Sequence, residues 1–349
     1  MSLGDGERVS NATLPPELFE VARDAARNGR RPAPPRTATI LGLGHHLPSE
    51  VVPNTDIAER IGVDDHWIVK RTGIQARRRA APTEGTTDMA VFAARRALQD
   101  AGVDARDLDF VIVATMSADE ITPNCAPLVA HALGAERAAA FDIGAACTGF
   151  LAGLSQSAAL IEVGRAERVL LVGAEKLTRI TDFGDKKTGM LFGDGAGAVV
   201  LGPSGSESGI GPIDLLADGG LGDTIMATHE DPYIRMDGIS TFKIAVKRLS
   251  ESTVYAVSAA GIELDDIDLF VYHQANSRIL RAVGERLELD PAKVADYIAQ
   301  LGNTSAASIP LTLSLSRADG RLRPGHKVLV AAIGAGFTWG AGVMEWTGS

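Results

Sequence analysis

Residues 141–150 read FDIGAACTGF and place Cys147 where an apolar, strand-like run gives way to an alanine-rich segment. This segment predicts a buried helix that begins near Cys147 and continues through Leu154 and Ala159. A thiol at a helix start faces free backbone amides and the positive end of the helix dipole, which both favour thiolate over thiol. The small flanking residues would let another molecule approach the sulfur. Cys147 is therefore a candidate nucleophile, and a buried structural cysteine is the alternative.

The composition indicates a soluble globular protein. The chain has 349 residues, of which 45% are hydrophobic and 22% charged, enough for one large or two medium domains. A formal net charge of −10 argues against nucleic-acid or anionic-membrane partners. Cys125 and Cys147 form neither a disulfide framework nor a metal-binding pattern, so we expect no metal and a reducing, cytoplasmic setting. Cys125 itself is expected to be a buried small hydrophobe.

The N-terminal residues differ from the rest of the chain. Residues 1–36 are polar and rich in proline and arginine, and they are predicted to form a mobile N-terminal extension. They lack the apolar stretch of a signal peptide, and no apolar run in the chain is long enough to span a bilayer.

An internal repeat organises the remainder. The segment from 101 to 113 is echoed from 260 to 272, and the segment from 168 to 171 is echoed from 327 to 330, with an offset of 159 residues in each case. Both halves also end in a glycine-rich strand that contains Gly-Ala-Gly, at 195–197 and 340–342. The pattern predicts an α/β protein made of two copies of one unit, over residues 37–205 and 206–349.

The repeat also predicts where the chemistry takes place. The offset carries Cys147 to Ala306, which lies in another small-residue helix start at 303–308. Two helix N-termini should therefore meet between the halves, where ligand sites are common.

Two polar side chains are the candidate partners of the thiol. His273 directly follows the apolar run from 269 to 272, at a strand end where a catalytic base is often displayed. Asn303 is a neutral donor after Leu301 and Gly302. A thiolate can accept an acyl group from a thioester, and imidazole and carboxamide N–H groups can then stabilise an enolate oxygen.

Two glycine-rich segments have different interpretations. Residues 334–340 predict a tight turn whose backbone N–H groups, with that of Cys147, could form an oxyanion hole; simple hairpin punctuation is the alternative. Residues 193–197 lead into a strand-like run rather than a helix, so a dinucleotide site is rejected there.

With these residues in place, the chain resembles the β-ketoacyl-acyl-carrier-protein synthase III family, of thiolase-like fold. The resemblance covers roughly Ala38 to Trp346. It is carried by these motifs: WIVKRTGI at 67–74, AACTGF at 145–150, FGDGAG at 192–197, HQAN at 273–276, GNTSAAS at 302–308 and GFTWG at 336–340.

The resemblance implies a homodimer with a duplicated five-layer α-β-α-β-α architecture and a specific reaction. That reaction is the decarboxylative Claisen condensation of an acyl-CoA primer with malonyl-acyl carrier protein, which starts fatty-acid synthesis without a cofactor. Cys147 would hold the acyl group, and His273 with Asn303 would assist decarboxylation. The backbone amides of Cys147 and Ala335 would form the oxyanion hole.

The resemblance also implies binding residues. Trp67, Arg71 and Lys186 would contact CoA, although Lys186 stands where an arginine with a planar stacking face is often found. Lys243 and Arg278 would form a basic patch for the acidic carrier, with an ordinary solvated surface as the alternative.

Thr122 and Phe192 are the implied acyl-pocket residues. Thr122 occupies a position where some members have phenylalanine, which suggests room for branched or longer primers.

The sequence is also compatible with other functions. A related acyltransferase would move the acyl group onto a hydroxyl or amine of a natural product. A plant-type polyketide synthase or hydroxymethylglutaryl-CoA synthase shares the fold, and a silent scaffold for a carrier protein is a third class. Retention of Asn303 beside His273 favours condensation.

Overall fold

The computed structural model describes residues 36–205 and 208–348. The predicted mobile extension over residues 1–36 lies outside the described residues except for Arg36. The side chain of Arg36 pairs with Glu167 at 2.9 Å. In the described part of the chain, no helix is both long and apolar enough to cross a membrane.

The strands alternate with helices along the chain, as the apolar runs predict. They are β1 (Ala38–His46), β2 (Glu50–Pro53), β3 (Ala76–Arg79), β4 (Phe110–Ala114), β5 (Ala139–Ile143), β6 (Val169–Lys176), β7 (Asp194–Pro203), β8 (Ile210–Ala217), β9 (Ile225–Met226), β10 (Arg235–Met236), β11 (Leu269–Tyr272), β12 (Lys327–Gly334) and β13 (Thr338–Glu345).

The α-helices follow from apolar faces at helical spacing. They are α1 (Asn54–Ile61), α2 (Asp65–Thr72), α3 (Thr86–Ala101), α4 (Cys125–Leu133), α5 (Gly149–Glu162), α6 (Gly238–Ala259), α7 (Ser277–Leu287), α8 (Ile298–Leu301) and α9 (Ser308–Ala318). Short 3₁₀ turns at Ala146–Thr148 and Ser305–Ala307 directly precede α5 and α9.

Two sheets form the framework, and each belongs to one half of the chain. The first has the order β1-β7-β6-β4-β5, and the second has the order β8-β13-β12-β11. Each sheet mixes both orientations: β4–β6 and β11–β12 are parallel, whereas β6–β7 and β12–β13 are antiparallel. Residues 194–203 form strand β7 and not a helix, which agrees with the expectation that no dinucleotide-binding loop lies there.

Five layers result from how the helices cover these sheets. Helices α3 and α4 pack on the outer face of the first sheet. Helices α5 and α9 lie between the two sheets, where they share one core with strands of both. Helices α6 and α7 cover the outer face of the second sheet. The predicted α-β-α-β-α architecture is therefore confirmed.

The backbone repeats the sequence offset at its most unusual point. Ala146 and Ser305, which are 159 positions apart in the printed sequence, have φ of 46° and 47° and are in the left-handed region. L-residues other than glycine rarely adopt this conformation. Both halves thus enter a central helix through a turn of the same backbone conformation.

Close backbone contact fixes the two halves to each other. A Cβ on Gly173 of β6 would lie 2.2 Å from the carbonyl oxygen of Ala306, which is too short for any real contact. Only a glycine lets β6 approach the second-half turn this closely.

Gly173→Ala is expected to lower the free energy of unfolding by about 3 kcal/mol, because the added methyl must push β6 away from the Ser305–Ala307 turn. Urea unfolding followed by circular dichroism measures this change. Gly284→Ala is the matched control, since nothing lies within 4 Å of a Cβ at this position on α7. That control is expected to gain up to about 1 kcal/mol. Equal stability of the Gly173→Ala variant and the unmodified protein would contradict the packing argument.

Candidate active site

A cavity of about 660 Å³ lies between the two halves. Cys147 lines it from the first half, and His273 and Asn303 line it from the second. The three residues that the sequence singled out therefore border one space.

The nucleophile candidate is positioned by the 3₁₀ turn that leads into α5. Cys147 is half-buried and unpaired. Burial raises the pKa of its thiol to about 12, the negative charge of Glu175 raises it further, and a contact with the Ser305 hydroxyl acts in the opposite direction. The expectation that the helix start alone favours thiolate is therefore wrong for the free protein, because loss of hydration outweighs the helix end. The thiol must lose its proton during the reaction.

His273 and Asn303 form a neutral donor pair. The Asn303 Oδ1 accepts the Ser305 backbone N–H at 2.8 Å, and the His273 Nε2 lies 3.1 Å from the same oxygen. Because an amide oxygen only accepts, Nε2 carries a hydrogen in this arrangement. Burial lowers the pKa of His273 to about 4, against the effects of its contacts with Asn303 and the Ile333 backbone. The imidazole is therefore neutral at physiological pH.

The Asn303 backbone is tied to the cavity wall. Its N–H donates to the Leu191 carbonyl at 2.8 Å, and its carbonyl accepts the Gly193 N–H at 3.0 Å. Phe192, between these two residues, is buried and lines the cavity.

The glycine-rich turn near the C-terminus meets the nucleophile. A Cβ at Gly334 would lie 2.8 Å from the Cys147 backbone nitrogen and 3.2 Å from that of Thr148. Ala335, the next residue, lines the cavity. The two amides assigned to the oxyanion hole thus belong to segments in direct contact.

Trp67, Arg71 and Lys186 form an aromatic-cation cluster on the cavity wall. The guanidinium carbon of Arg71 lies 4.0 Å from the centre of the Trp67 ring, and the Lys186 amine lies 5.0 Å from it. Helix α2 holds two of these residues, and it begins where the Asp64 side chain accepts the Trp67 N–H at 2.7 Å. Lys186 therefore contacts the tryptophan ring through its amine and offers no planar group that could stack on it.

Lys243 and Arg278 also line the cavity, from α6 and α7. The Arg278 guanidinium lies 5.4 Å from the centre of the Phe242 ring. Asn276 caps α7 by accepting the Arg278 N–H at 2.9 Å and donates to the Arg71 carbonyl at 3.1 Å. One side chain thus connects the aromatic-cation cluster to the basic pair.

Thr122 is placed differently from the expectation. It is exposed in the loop between β4 and α4, and it does not line the cavity of its own chain. The argument that Thr122 enlarges an acyl pocket is therefore not supported within one chain, because the loop follows the surface instead of turning inward.

Three residues that the sequence did not single out support the site. Ser305 follows from the repeat, since the offset carries Ala146 to it. Glu175 is a wholly buried carboxyl, and its only signal was an acidic residue at the end of an apolar strand. Arg77 is also buried, and its guanidinium donates to the carbonyls of Val52 and Met190. Among the described residues, no group of three His, Cys, Asp or Glu side chains is arranged to hold a metal ion.

The duplicated fold, with a cysteine, a histidine and an asparagine around one cavity, defines the thiolase-like class of condensing enzymes. Two family models match the chain. The model of 3-oxoacyl-[acyl-carrier-protein (ACP)] synthase III covers residues 141–219, and the model of its C-terminal part covers residues 257–346.

Individual relatives agree with the family models. The chain is 44% identical over 309 residues to beta-ketoacyl-[acyl-carrier-protein] synthase III of Geobacillus kaustophilus, covering 88% of this chain and 99% of the relative. It is 46% identical over 320 residues to the enzyme of the same name from Rhodospirillum rubrum, again with 88% and 99% covered.

A solved structure is also similar. The crystal structure of 3-oxoacyl-[acyl-carrier-protein] synthase III from Aquifex aeolicus matches this chain with a TM-score of 0.87 and 40% sequence identity. The match covers 88% of this chain and 100% of that one. The chain belongs to the 3-oxoacyl-[acyl-carrier-protein] synthase III family and is an acyltransferase of this type.

Gly334→Ala is expected to slow the reaction of Cys147 with acyl thioesters by about 100-fold, because the methyl would displace an amide assigned to the oxyanion hole. Intact-mass spectrometry over time measures the acylated fraction. Gly238→Ala is the control, since Gly238 lines the same cavity but has open space around a Cβ. Equal loss in both variants would argue against a role of the Cys147 amide.

Proposed function

We propose that this protein condenses an acyl-CoA primer with malonyl-acyl carrier protein and so starts fatty-acid synthesis. The observation that carries the proposal is the presence of Cys147, His273 and Asn303 on one cavity between the halves. Each of the three has the chemistry that one stage of the reaction needs.

The first stage is transfer of the acyl group to Cys147. The sulfur attacks the thioester carbonyl, and the oxygen of the tetrahedral intermediate becomes negative. The backbone N–H groups of Cys147 and Ala335 would donate to this oxygen. Collapse of the intermediate releases CoA and leaves a thioester on Cys147.

The second stage is decarboxylation of the malonyl group. Loss of carbon dioxide leaves an enolate, whose oxygen needs donors that do not protonate the carbon. Neutral His273 would share its Nε2–H between the Asn303 Oδ1 and the enolate oxygen, and Asn303 would supply Nδ2–H, so that the pair polarises the enolate. The enolate carbon then attacks the acyl-cysteine thioester, and the new carbon–carbon bond releases Cys147.

The substrates are proposed to bind along the lining of the cavity. The Trp67 ring would stack on the CoA adenine, while Arg71 and Lys186 would meet its phosphates. Lys243 and Arg278 would attract the acidic carrier, so that a local basic patch compensates for the acidic protein. Both substrates carry their own reactive thioester, so the proposal includes no cofactor.

An apolar acyl group suits the inner lining of the cavity. The side chains of Met116, Leu191, Phe192 and Ile333 contribute to it. Tolerance for branched or longer primers remains part of the proposal, but it now depends on this lining and not on Thr122.

A homodimer in the cytoplasm completes the proposal. Strand β5 is an edge strand of its sheet, and an unpaired edge can pair with a second copy. Nearby in sequence, Ile121 exposes 98% of its surface, which is unusual for an isoleucine unless it is covered by a partner. Cys125 and Cys147 are both free thiols, as a reducing compartment would keep them.

Transfer of the acyl group to a hydroxyl or amine is not favoured. Such a reaction forms no enolate, so the Asn303 amide beside His273 would have no enolate oxygen to stabilise.

Cys147→Ala is expected to abolish acyl loading, whereas His273→Ala is expected to keep loading and lose condensation by at least about 100-fold. Incubation with acyl-CoAs, then with malonyl-acyl carrier protein, followed by intact-mass and product analysis, separates the two stages. Because the pKa of His273 is lowered to about 4, malonyl decarboxylation should fall only as the pH approaches 4, where the imidazole becomes charged. Loss of loading in His273→Ala would assign the histidine to thiol activation, and stable loading without condensation in the unmodified protein would refute the condensation.

Primer choice is tested with a series of straight and branched acyl-CoAs of increasing length. Branched and medium-length primers are expected to load Cys147 at rates within about tenfold of acetyl-CoA, since the inner lining is apolar. Phe192→Ala should extend the accepted length, and Val163→Ala, at an exposed position outside the cavity lining, serves as the control. Strict preference for acetyl-CoA would contradict the expectation.

A further inference from the structure

The proposed reaction leaves one buried carboxyl without a role. Glu175, on β6, has no exposed surface. Its Oε2 accepts the Ser117 hydroxyl, the Met116 N–H at 3.2 Å and the Thr115 hydroxyl at 3.3 Å. Its Oε1 is buried and, within the described residues, makes no hydrogen bond. Glu175 takes part in none of the ion pairs that the described residues form. A buried carboxyl with one oxygen unsatisfied is costly to keep and calls for an explanation.

Glu175 lies beside the turn that faces Cys147. Gly173, two residues earlier on β6, touches the Ala306 backbone, so this strand end packs directly on the Ser305–Ala307 turn. Met116 forms a second link, because its N–H donates to Glu175 and its sulfur lies 3.7 Å from the Ser305 Oγ.

Ser305 acts on both acidic groups. Its hydroxyl, which lies beside the Met116 sulfur, lowers the pKa of the Cys147 thiol and of the Glu175 carboxyl. A hydroxyl rotates freely and both donates and accepts, so it can exchange a proton between two such neighbours.

We propose that Glu175, Ser305 and Cys147 act as one unit in which the carboxyl and the thiol hold a single proton between them, exchanged through the Ser305 hydroxyl. Glu175 is thus a positioning residue that sets the pH range in which Cys147 is nucleophilic. This inference rests on the proposed function, in which Cys147 attacks the thioester.

The exchange balances without any other reactant. The Cys147 S–H bond breaks as its proton moves to the Ser305 Oγ, and the original hydroxyl proton of Ser305 moves to the Glu175 Oε1. The pair goes from thiol and carboxylate to thiolate and carboxylic acid, with one negative charge throughout. After acyl transfer, the carboxylic acid returns its proton to the departing CoA thiolate by way of Ser305 and solvent.

Electrostatics support one shared proton. Burial raises the pKa of Glu175 to about 7, and the hydrogen bonds from Ser117, Met116 and Thr115, together with the influence of the Ser305 hydroxyl, oppose that rise. The charge of Glu175 in turn raises the pKa of Cys147. Two such groups titrate as a pair, and the second negative charge is strongly disfavoured.

The other titratable groups around this strand end do not supply the proton. Cys125 is buried, with its pKa raised to about 12, and it contacts the Thr87 hydroxyl. The Lys176 amine donates to the carbonyls of Ala81 and Glu84. The carboxylates Asp119, Asp142 and Asp194 accept backbone N–H groups elsewhere. His273, with its pKa lowered to about 4, has already lost its proton at neutral pH.

The test is the alkylation rate of Cys147 by iodoacetamide between about pH 5.5 and 9.5, located by peptide mass mapping. In the unmodified protein the alkylation rate should rise about tenfold per pH unit up to about pH 7 and then level off. Above that pH one proton remains on the pair, and its division between Glu175 and Cys147 does not change with pH, so the thiolate fraction stays constant. In Glu175→Gln the rate should show no plateau and keep rising, to at least about tenfold above the unmodified protein near pH 9, because no carboxylate charge opposes the thiolate.

Two further variants test the mechanism independently. Ser117→Ala removes a hydrogen bond to the ionised carboxyl and should move the plateau onset up by about one pH unit. Ser305→Ala should slow acyl loading by at least about tenfold, because the proton has no direct route. Glu162→Gln, on a half-buried glutamate outside the cavity lining, is the matched control and should keep the unmodified profile.

A continuous rise in the unmodified protein, or a plateau that survives in Glu175→Gln, would overturn the proposal. If Glu175→Gln does not fold, an unshifted onset in Ser117→Ala would overturn it as well. Failure of the proposed function is separate, because alkylation needs no thioester. If the alkylation rate shows the plateau but no acyl-CoA acylates Cys147, the proposed condensation is refuted and the coupling of Glu175 to Cys147 is still supported.

Discussion

The structure depends on one close contact, the approach of β6 to the turn at Ser305–Ala307. Glycine at 173 permits the contact, and the central helices α5 and α9 are fixed by it against strands of both sheets. Because the two turns are pseudo-equivalent, the contact also brings two helix N-termini to one cavity. The halves are joined by backbone packing with little freedom to slide, which is what a reaction with precise carbonyl geometry requires.

The low polarity of this centre explains the state of its side chains. Away from water, the charged form of each group is disfavoured, so His273 is neutral, Cys147 is a thiol, and Glu175 holds its proton to higher pH than an exposed glutamate. The neutral state of His273 and Cys147 suits a reaction whose charges on substrate appear only in intermediates. Donors already oriented toward those charges need not reorganise when they form.

The sequence was sufficient for the fold and for the principal side chains, because both left periodic or local signals. The 159-residue offset predicted the duplication, the end of an apolar strand marked His273, and Asn303 stood out as a neutral donor after Leu301 and Gly302. The ionisation of Cys147 was not predictable, since the helix start is a local feature whereas burial sums over many elements. Thr122 does not line the cavity of its own chain, because a motif position does not determine the path of a loop, and its place in an acyl pocket stays a prediction. Glu175 and Ser305 became a pair only once three separate segments were packed together.

The distribution of the cavity residues over both halves has a consequence for synthesis of the chain. Cys147 is made before His273, Asn303 and Gly334, and none of these lies in the first sheet. A growing chain that has completed only the first half carries the thiol without its donors and without the turn that meets its amide. Bond-forming chemistry is thus delayed until the second half has docked, so an unfinished chain does not consume thioesters.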